Sequence, residues 1–221
     1  MYYKTKTPGS LMIMGEHSVL HFYPSIVAAV DKYIYVAVRK GKFGKIRIDS
    51  DYFGEYETNI QNIKISKDFD LILAIVKRYK QFLTEGIEVQ IKSDFSPELG
   101  LGSSGALLVG VTSALMMMLE KKIDKQELLQ ETLSILKNVR KFSSGSDLAA
   151  SIYGGVVYFD PQNCTAEVLA DSLPIVAMYS GYKTKTDKVI EKINKNFQGR
   201  ESVLKRIYSK SGGLTKMAAS A

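Results

Sequence analysis

Between Pro97 and Ala106 the chain reads Pro-Glu-Leu-Gly-Leu-Gly-Ser-Ser-Gly-Ala, and a predominantly apolar run to Leu119 follows. Gly100, Gly102 and Gly105 allow backbone to approach a ligand closely, and Ser103 and Ser104 add hydroxyl donors. The first amides of a helix have no internal partners and its dipole favours an anion. Such a composition is that of a phosphate cradle, with a serine hydroxyl available to ligate magnesium. The apolar run predicts a buried helix that holds the loop against the core. A plain turn before a core helix is the alternative. Two familiar nucleotide signatures fit poorly. Gly100-x-Gly102-x-x-Gly105 matches the dinucleotide pattern, but Ser93–Leu99 separates it from the upstream strand. Glu120 precedes a helix instead of closing a strand, and no Gly-Lys-Ser/Thr follows for a Walker loop.

Two further stretches carry polar groups to turns. An apolar strand, Leu11-Met12-Ile13-Met14, delivers Glu16 and His17 just after Gly15. Ser144-Gly145-Ser146-Asp147 places a carboxylate ahead of a small-residue helix. There it serves either as an N-cap or as a general base beside a substrate hydroxyl. Other candidates are bland. Met116-Met117-Met118 reads as core, and the single cysteine, Cys164, has no histidine near it in sequence. One cysteine and two histidines argue against a zinc site and against a disulfide framework.

The elements that must position these residues mix strand and helix. Period-two patterns or β-formers mark strands at Tyr3–Thr7, Leu11–Met14, Ser25–Ala29, Tyr33–Arg39, Lys45–Ser50 and Ile87–Lys92. Val156–Phe159 and Ile175–Tyr179 read as later strands. Apolar residues at helical spacing predict a helix over Asp70–Phe82, and a capping box from Asp124 and Glu127 opens another over Lys125–Lys137. Asp187–Phe197 reads as an amphipathic helix, and the tail from Ser209 to Ala221 shows low complexity and no clear element. Strands grouped early favour an α+β fold over a doubly wound sheet.

Composition narrows the classes. With 221 residues, 45% hydrophobic and 24% charged, the chain can bury a substantial core. Its N-terminus carries no apolar signal region, and the longest apolar run falls short of the about 20 residues a membrane span needs. A soluble cytoplasmic protein is expected. The net charge of +7 comes from scattered Lys and Arg without interleaved aromatics. That distribution suits attraction of small anions better than nucleic-acid binding.

Taken in order, the three polar stretches resemble those of the GHMP small-molecule kinases. Pro8-Gly9-x-x-x-x-x-Gly15-Glu16-His17 is similar to the family's first motif, and Leu99–Ala106 to its second, ATP-binding motif. Ser144-Gly145-Ser146-Asp147-x-Ala149-x-Ser151-x-Tyr153-Gly154-Gly155 resembles the segment holding its catalytic aspartate. The Glu-His pair and the Ala-Ala-Ser-x-Tyr-Gly-Gly run lean toward the mevalonate and phosphomevalonate kinase branch. The resemblance implies an N-terminal domain of ribosomal-protein-like fold over residues 1–168 and the start of a shortened C-terminal α/β domain over 169–221. It implies transfer of the ATP γ-phosphoryl group to a small-molecule alcohol or phosphate. Pro97, Gly100, Leu101, Gly102, Ser103, Ser104, Gly105 and Ala106 would bind ATP, with Ser104 on Mg²⁺. Asp147 would be catalytic, and Glu16, His17 and Ser146 would meet the acceptor.

Three departures accompany the match. Mevalonate kinases carry a lysine where this chain has Ser10; Lys6, Lys183 and Lys185 are the candidates to replace its charge. Their metal-binding glutamate corresponds to Leu136 or Lys137 here, with Glu131 the nearest acid. The glycine-rich third motif has no good counterpart, Ser211-Gly212-Gly213-Leu214 being a poor match. These departures motivate a catalytically impaired nucleotide-binding homologue as the alternative, and a homo-oligomer in which a partner chain completes the second domain.

Overall fold

The computed structural model describes every residue of the chain except Thr84, Lys183 and Lys185. Its first strand, β1 (Tyr3–Met14), is continuous where two pieces were expected around Pro8-Gly9. It pairs antiparallel with β2 (Ser25–Gly41) and shifts register between Pro8 and Ser10, so the proline makes a bulge without ending the strand. The long β2 also merges two expected strands. Its other edge is shared. Ser25–Ala28 pair with β6 (Val156–Asp160), and Ile34–Gly41 pair with β5 (Gly86–Ser93). β3 (Lys45–Ser50) runs parallel to β5. Two strands that sequence periodicity did not reveal, β4 (Gly54–Asn59) and β7 (Thr165–Ala170), close the ends. The result is a seven-stranded sheet ordered β4-β3-β5-β2-β6-β7, with β1 added on β2.

Helices α2 (Ser103–Met118) and α4 (Ser146–Tyr153) lie on β1 and β2. Behind them pack α1 (Asp70–Tyr79) and α3 (Lys125–Val139), the latter opened by the expected Asp124/Glu127 capping box. One core joins the layers: Val27, Val36, Ile46, Ile48 and Ile87 from the sheet meet Ile72, Ile75, Leu108, Leu115, Leu129 and Leu148 from the helices. Thr5 and Thr7 on β1 donate to the carbonyls of Gly110 (3.0 Å) and Ala106 (2.9 Å), fastening α2 to the strand that leads into the Glu16 turn.

Two expectations for the C-terminal quarter are corrected. Ile175–Tyr179 is not a strand; among the described residues it pairs with no neighbour, and Val176 and Met178 are almost fully exposed. A strand exists only through its ladder, and β7 already covers the near end of the sheet. The tail, expected to lack structure, forms a long helix, α6 (Glu201–Ala219), after α5 (Thr186–Asn196). Tyr208, Gly212 and Thr215 recur on one buried face of α6, and that face docks on the turn after His17. Tyr208 stacks on His21 with ring centroids 4.4 Å apart, and Ser211 Oγ lies 3.3 Å from Ser18 Oγ. Tertiary packing supplies what helix propensity lacks in this glycine- and serine-rich stretch. No described helix is long and apolar enough to cross a membrane.

Candidate active site

The fold brings three stretches far apart in sequence to the wall of one cavity of about 540 Å³. Ser10, Glu16 and His17 come from β1 and its turn, Gly100 and Gly102–Gly105 from the loop before α2, and Ser144, Gly145 and Asp147 from the start of α4. At their junction Ser10 Oγ donates to Asp147 Oδ1 at 3.0 Å. The loop is threaded against this pair. A Cβ on Gly102 would stand 2.0 Å from Ser10 Oγ, and one on Gly105 would stand 2.8 Å from Asp147 Cβ. Gly102 also has φ +60°, the left-handed conformation that glycine adopts without strain. Glycine is therefore required twice over at position 102, and these contacts fix the carboxylate against the loop.

The start of α2 leaves its first amides without a side-chain partner. No side chain caps it, and its first intrahelical bond runs from the Ala106 amide to the Gly102 carbonyl at 3.1 Å. The amides of Ser103, Ser104 and Gly105 precede that bond on the cavity wall. Ala106 itself is fully buried with its amide spent in the helix, and Leu101 acts through its carbonyl, which accepts from the Ser10 amide at 3.0 Å. Neither lines this cavity; both brace the loop.

A second cavity, of about 220 Å³, shares Ser103 and Ser104 with the first. Tyr52, Phe53, Pro97 and Leu107 give it apolar and aromatic walls, and Asp51, Lys67 and Asp68 line it as well. An apolar slot beside a helix N-terminus suits a planar base whose phosphates run over the helix end.

On the other flank, His17 is held at φ +60° with its Nδ1 buried and unbonded. A non-glycine residue at positive φ and a buried polar atom without a partner are both uncommon and both carry a cost in stability. Burial, reinforced by the charge of His17, holds the pKa of His21 below the usual histidine value. Glu16 is exposed on the same wall.

Not every expected residue reaches the site. Ser146 is fully buried, and its hydroxyl lies in a trio with Ser25 Oγ at 2.8 Å and Ser144 Oγ at 3.1 Å, so it ties α4 to β2 instead of lining the cavity. Lys6 Nζ sits 3.6 Å over the Tyr33 ring and is absent from the cavity wall. Glu131 accepts from Arg78 Nε at 3.0 Å and from Tyr79 OH, in a separate cleft. Leu136 lines the cavity, where it offers no metal ligand. Lys183 and Lys185 lie outside the described residues. Sequence reasoning overlooked Arg140, which follows α3, lines both cavities and forms a two-pronged ion pair with Asp70. Nothing in the residues beside it signalled this placement.

Among the described residues no three carboxylate, histidine or cysteine side chains cluster as a ready metal site. Magnesium does not need one. It is usually held by one or two protein oxygens plus substrate phosphates and waters. Ser104 and Asp147, both on the larger cavity, are a donor set of that kind.

Residues 70–155 match the GHMP kinases N terminal domain. A mevalonate kinase from Thermococcus sibiricus is 26% identical over 227 residues, covering 96% of this chain and 67% of that protein. The chain thus spans about two thirds of that relative's length. In fold it is similar to the mevalonate kinase of Methanococcus jannaschii, with a TM-score of 0.75 at 18% identity over 100% of this chain and 73% of the other. It is also similar to the Lin0012 protein of Listeria innocua, with a TM-score of 0.82 at 18% identity over 98% and 71% of the two chains. The glycine loop, the Glu-His turn and the aspartate at the head of α4 are thus joined in one cavity, within a fold similar to that of mevalonate kinases and across a segment that matches the GHMP kinases N terminal domain.

Proposed function

We propose that this chain is the nucleotide-binding and catalytic portion of a kinase that transfers the γ-phosphoryl group of ATP to the hydroxyl of a small, mevalonate-like acceptor. The observation that carries the reading is the contact of Ser10 and Gly102 with Asp147, which seats a carboxylate beside the head of α2. The base of the nucleotide fits the 220 Å³ slot, and its phosphates would cross the Ser103–Gly105 amides toward the 540 Å³ cavity. Mg²⁺, held by Ser104 and the phosphates with Asp147 within the same cavity, would supply charge neutralisation. Asp147 orients the acceptor hydroxyl and takes its proton as oxygen bonds to the γ-phosphorus and the bond to the β-phosphate oxygen breaks. Ser10 keeps Asp147 in place. Glu16 and His17, both on the wall of this cavity, would meet the polar groups of the acceptor.

A second reading, a homologue that binds nucleotide without transferring phosphate, is favoured by Ser10 and Leu136 standing where related kinases have a lysine and a metal-binding glutamate. One set of measurements decides. With ATP–Mg²⁺ and mevalonate, ADP release by the unaltered chain is expected, and Asp147→Asn should lower it at least about 100-fold while ATP binding persists. ATP binding without turnover in the unaltered chain would establish the second reading, and full turnover in Asp147→Asn would remove Asp147 from its role.

A further inference from the structure

We propose that Arg140 is a phosphate-binding residue that clamps the donor's phosphate chain where it passes between the two cavities; this rests on the kinase reading above. Among the described residues three line both cavities: Ser103, Ser104 and Arg140. Any ligand that occupies both must pass them. The larger cavity is otherwise acidic, with Glu16, Asp147 and Asp187 on its wall, and Arg140 is the only lysine or arginine among its described lining residues. A polyanion entering those walls needs a fixed cation at the crossing.

The guanidinium is built for that position. Its backbone amide ends α3 on the Leu136 carbonyl at 2.8 Å, and Asp70, the first residue of α1, accepts from Nη1 at 2.5 Å and from Nη2 at 3.0 Å. A bidentate carboxylate fixes the plane of an arginine while using two of its five N–H groups, so three donors remain for phosphate oxygens. Asp70 is thus a positioning residue. It orients the fork and touches only the first cavity.

The test compares binding of ATP–Mg²⁺ and of adenosine by calorimetry in the unaltered chain, Arg140→Met, Asp70→Asn and the Asp70→Asn/Arg140→Met double variant. The double variant leaves no unpaired half-buried acid, so it keeps the test open should Arg140→Met fail to fold. Both variants lacking the arginine should bind ATP at least about tenfold more weakly, the loss expected for charge-assisted hydrogen bonds, and adenosine within about twofold of the unaltered chain. Asp70→Asn, which keeps the cation but loosens the grip on its plane, should bind ATP more weakly than the unaltered chain and more tightly than either variant lacking the arginine. Equal ATP affinity with and without the arginine overturns the proposal. So does a matching loss for ATP and adenosine, which would mean that Arg140 only supports the fold. An unaltered chain that binds neither ligand overturns the kinase reading itself.

Discussion

Replacing Gly102 by alanine tests whether the glycine loop, β1 and α4 form one mechanical unit. Two penalties are expected. Gly102 has φ +60°, where alanine is disfavoured by about 1 kcal/mol. The new methyl would also sit 2.0 Å from Ser10 Oγ, so that hydroxyl must leave, and its 3.0 Å bond to the Asp147 carboxylate is lost with it. A hydrogen bond to a charged group contributes about 1.5–3 kcal/mol. The total is about 2.5–4 kcal/mol, or a fall in melting temperature of about 5–16 °C for a chain of this size. Gly100 supplies the control. Its φ is +75°, but nothing lies within 4 Å of the position a Cβ would take, so Gly100→Ala should show only the backbone term of about 1 kcal/mol. Ser10→Ala removes the clash in advance. Combined with Gly102→Ala it should cost less than the sum of the single changes, by about 1.5–3 kcal/mol, because the hydrogen bond is lost only once. Urea unfolding of the four variants measures each quantity. Equal destabilisation by Gly100→Ala and Gly102→Ala, or strict additivity with Ser10→Ala, would refute the reasoning.

Other consequences follow from the packing around the site. Thr7→Val, which deletes the buried hydroxyl bonding the Ala106 carbonyl at 2.9 Å, should lower stability by about 1 kcal/mol in urea unfolding. Because the folded-state pKa of His21 is lowered, its contribution is complete above the ordinary value of about 6.5 and is lost as pH falls through the lower folded value. Melting curves across that range should show an acid-side decline that His21→Phe flattens. Gly212 and Gly213 should respond with opposite signs to alanine. A methyl at 212 meets Tyr23 Cδ1 at 2.5 Å and should loosen α6, whereas one at 213 meets nothing within 4 Å and should stabilise the helix by about 0.5–1 kcal/mol by thermal unfolding.

What could be read in the sequence was what the chain determines locally. Gly100, Gly102 and Gly105 announce a loop because left-handed backbone and close approach exclude other residues over a few positions. The Asp124/Glu127 cap is likewise a contact across three residues. The seven-stranded sheet was legible only in part. β3 and β5 declare themselves by alternation, but β4 and β7 lie at the sheet's two ends, where one polar face and short length leave little signal. Ile175–Tyr179 shows the reverse failure: strand-forming residues without a ladder to join.

The site divides along the same line, and the division explains which residues went unnoticed. Asp147 and the serine pair stand inside motifs whose neighbours constrain them, so their placement could be expected before any fold was known. Arg140 has no such neighbours; the residues around it, Asn138-Val139 and Lys141-Phe142, carry no signature. Its importance comes from Asp70, 70 positions away, and from a crossing that exists only once α1, α2 and α3 are packed together. Ser146 shows the converse. It sits within a motif, one residue from the catalytic candidate, yet its first helical turn points it at Ser25, 121 positions away, and into the protein. Neighbours in sequence on a helix diverge by about 100°, and at the head of α4 that rotation turns Ser146 toward β2 while Asp147 faces the cavity. A residue a full turn away, or on another element altogether, is the better candidate for a partner in the chemistry, and Ser10 on β1 is the one that the fold supplies.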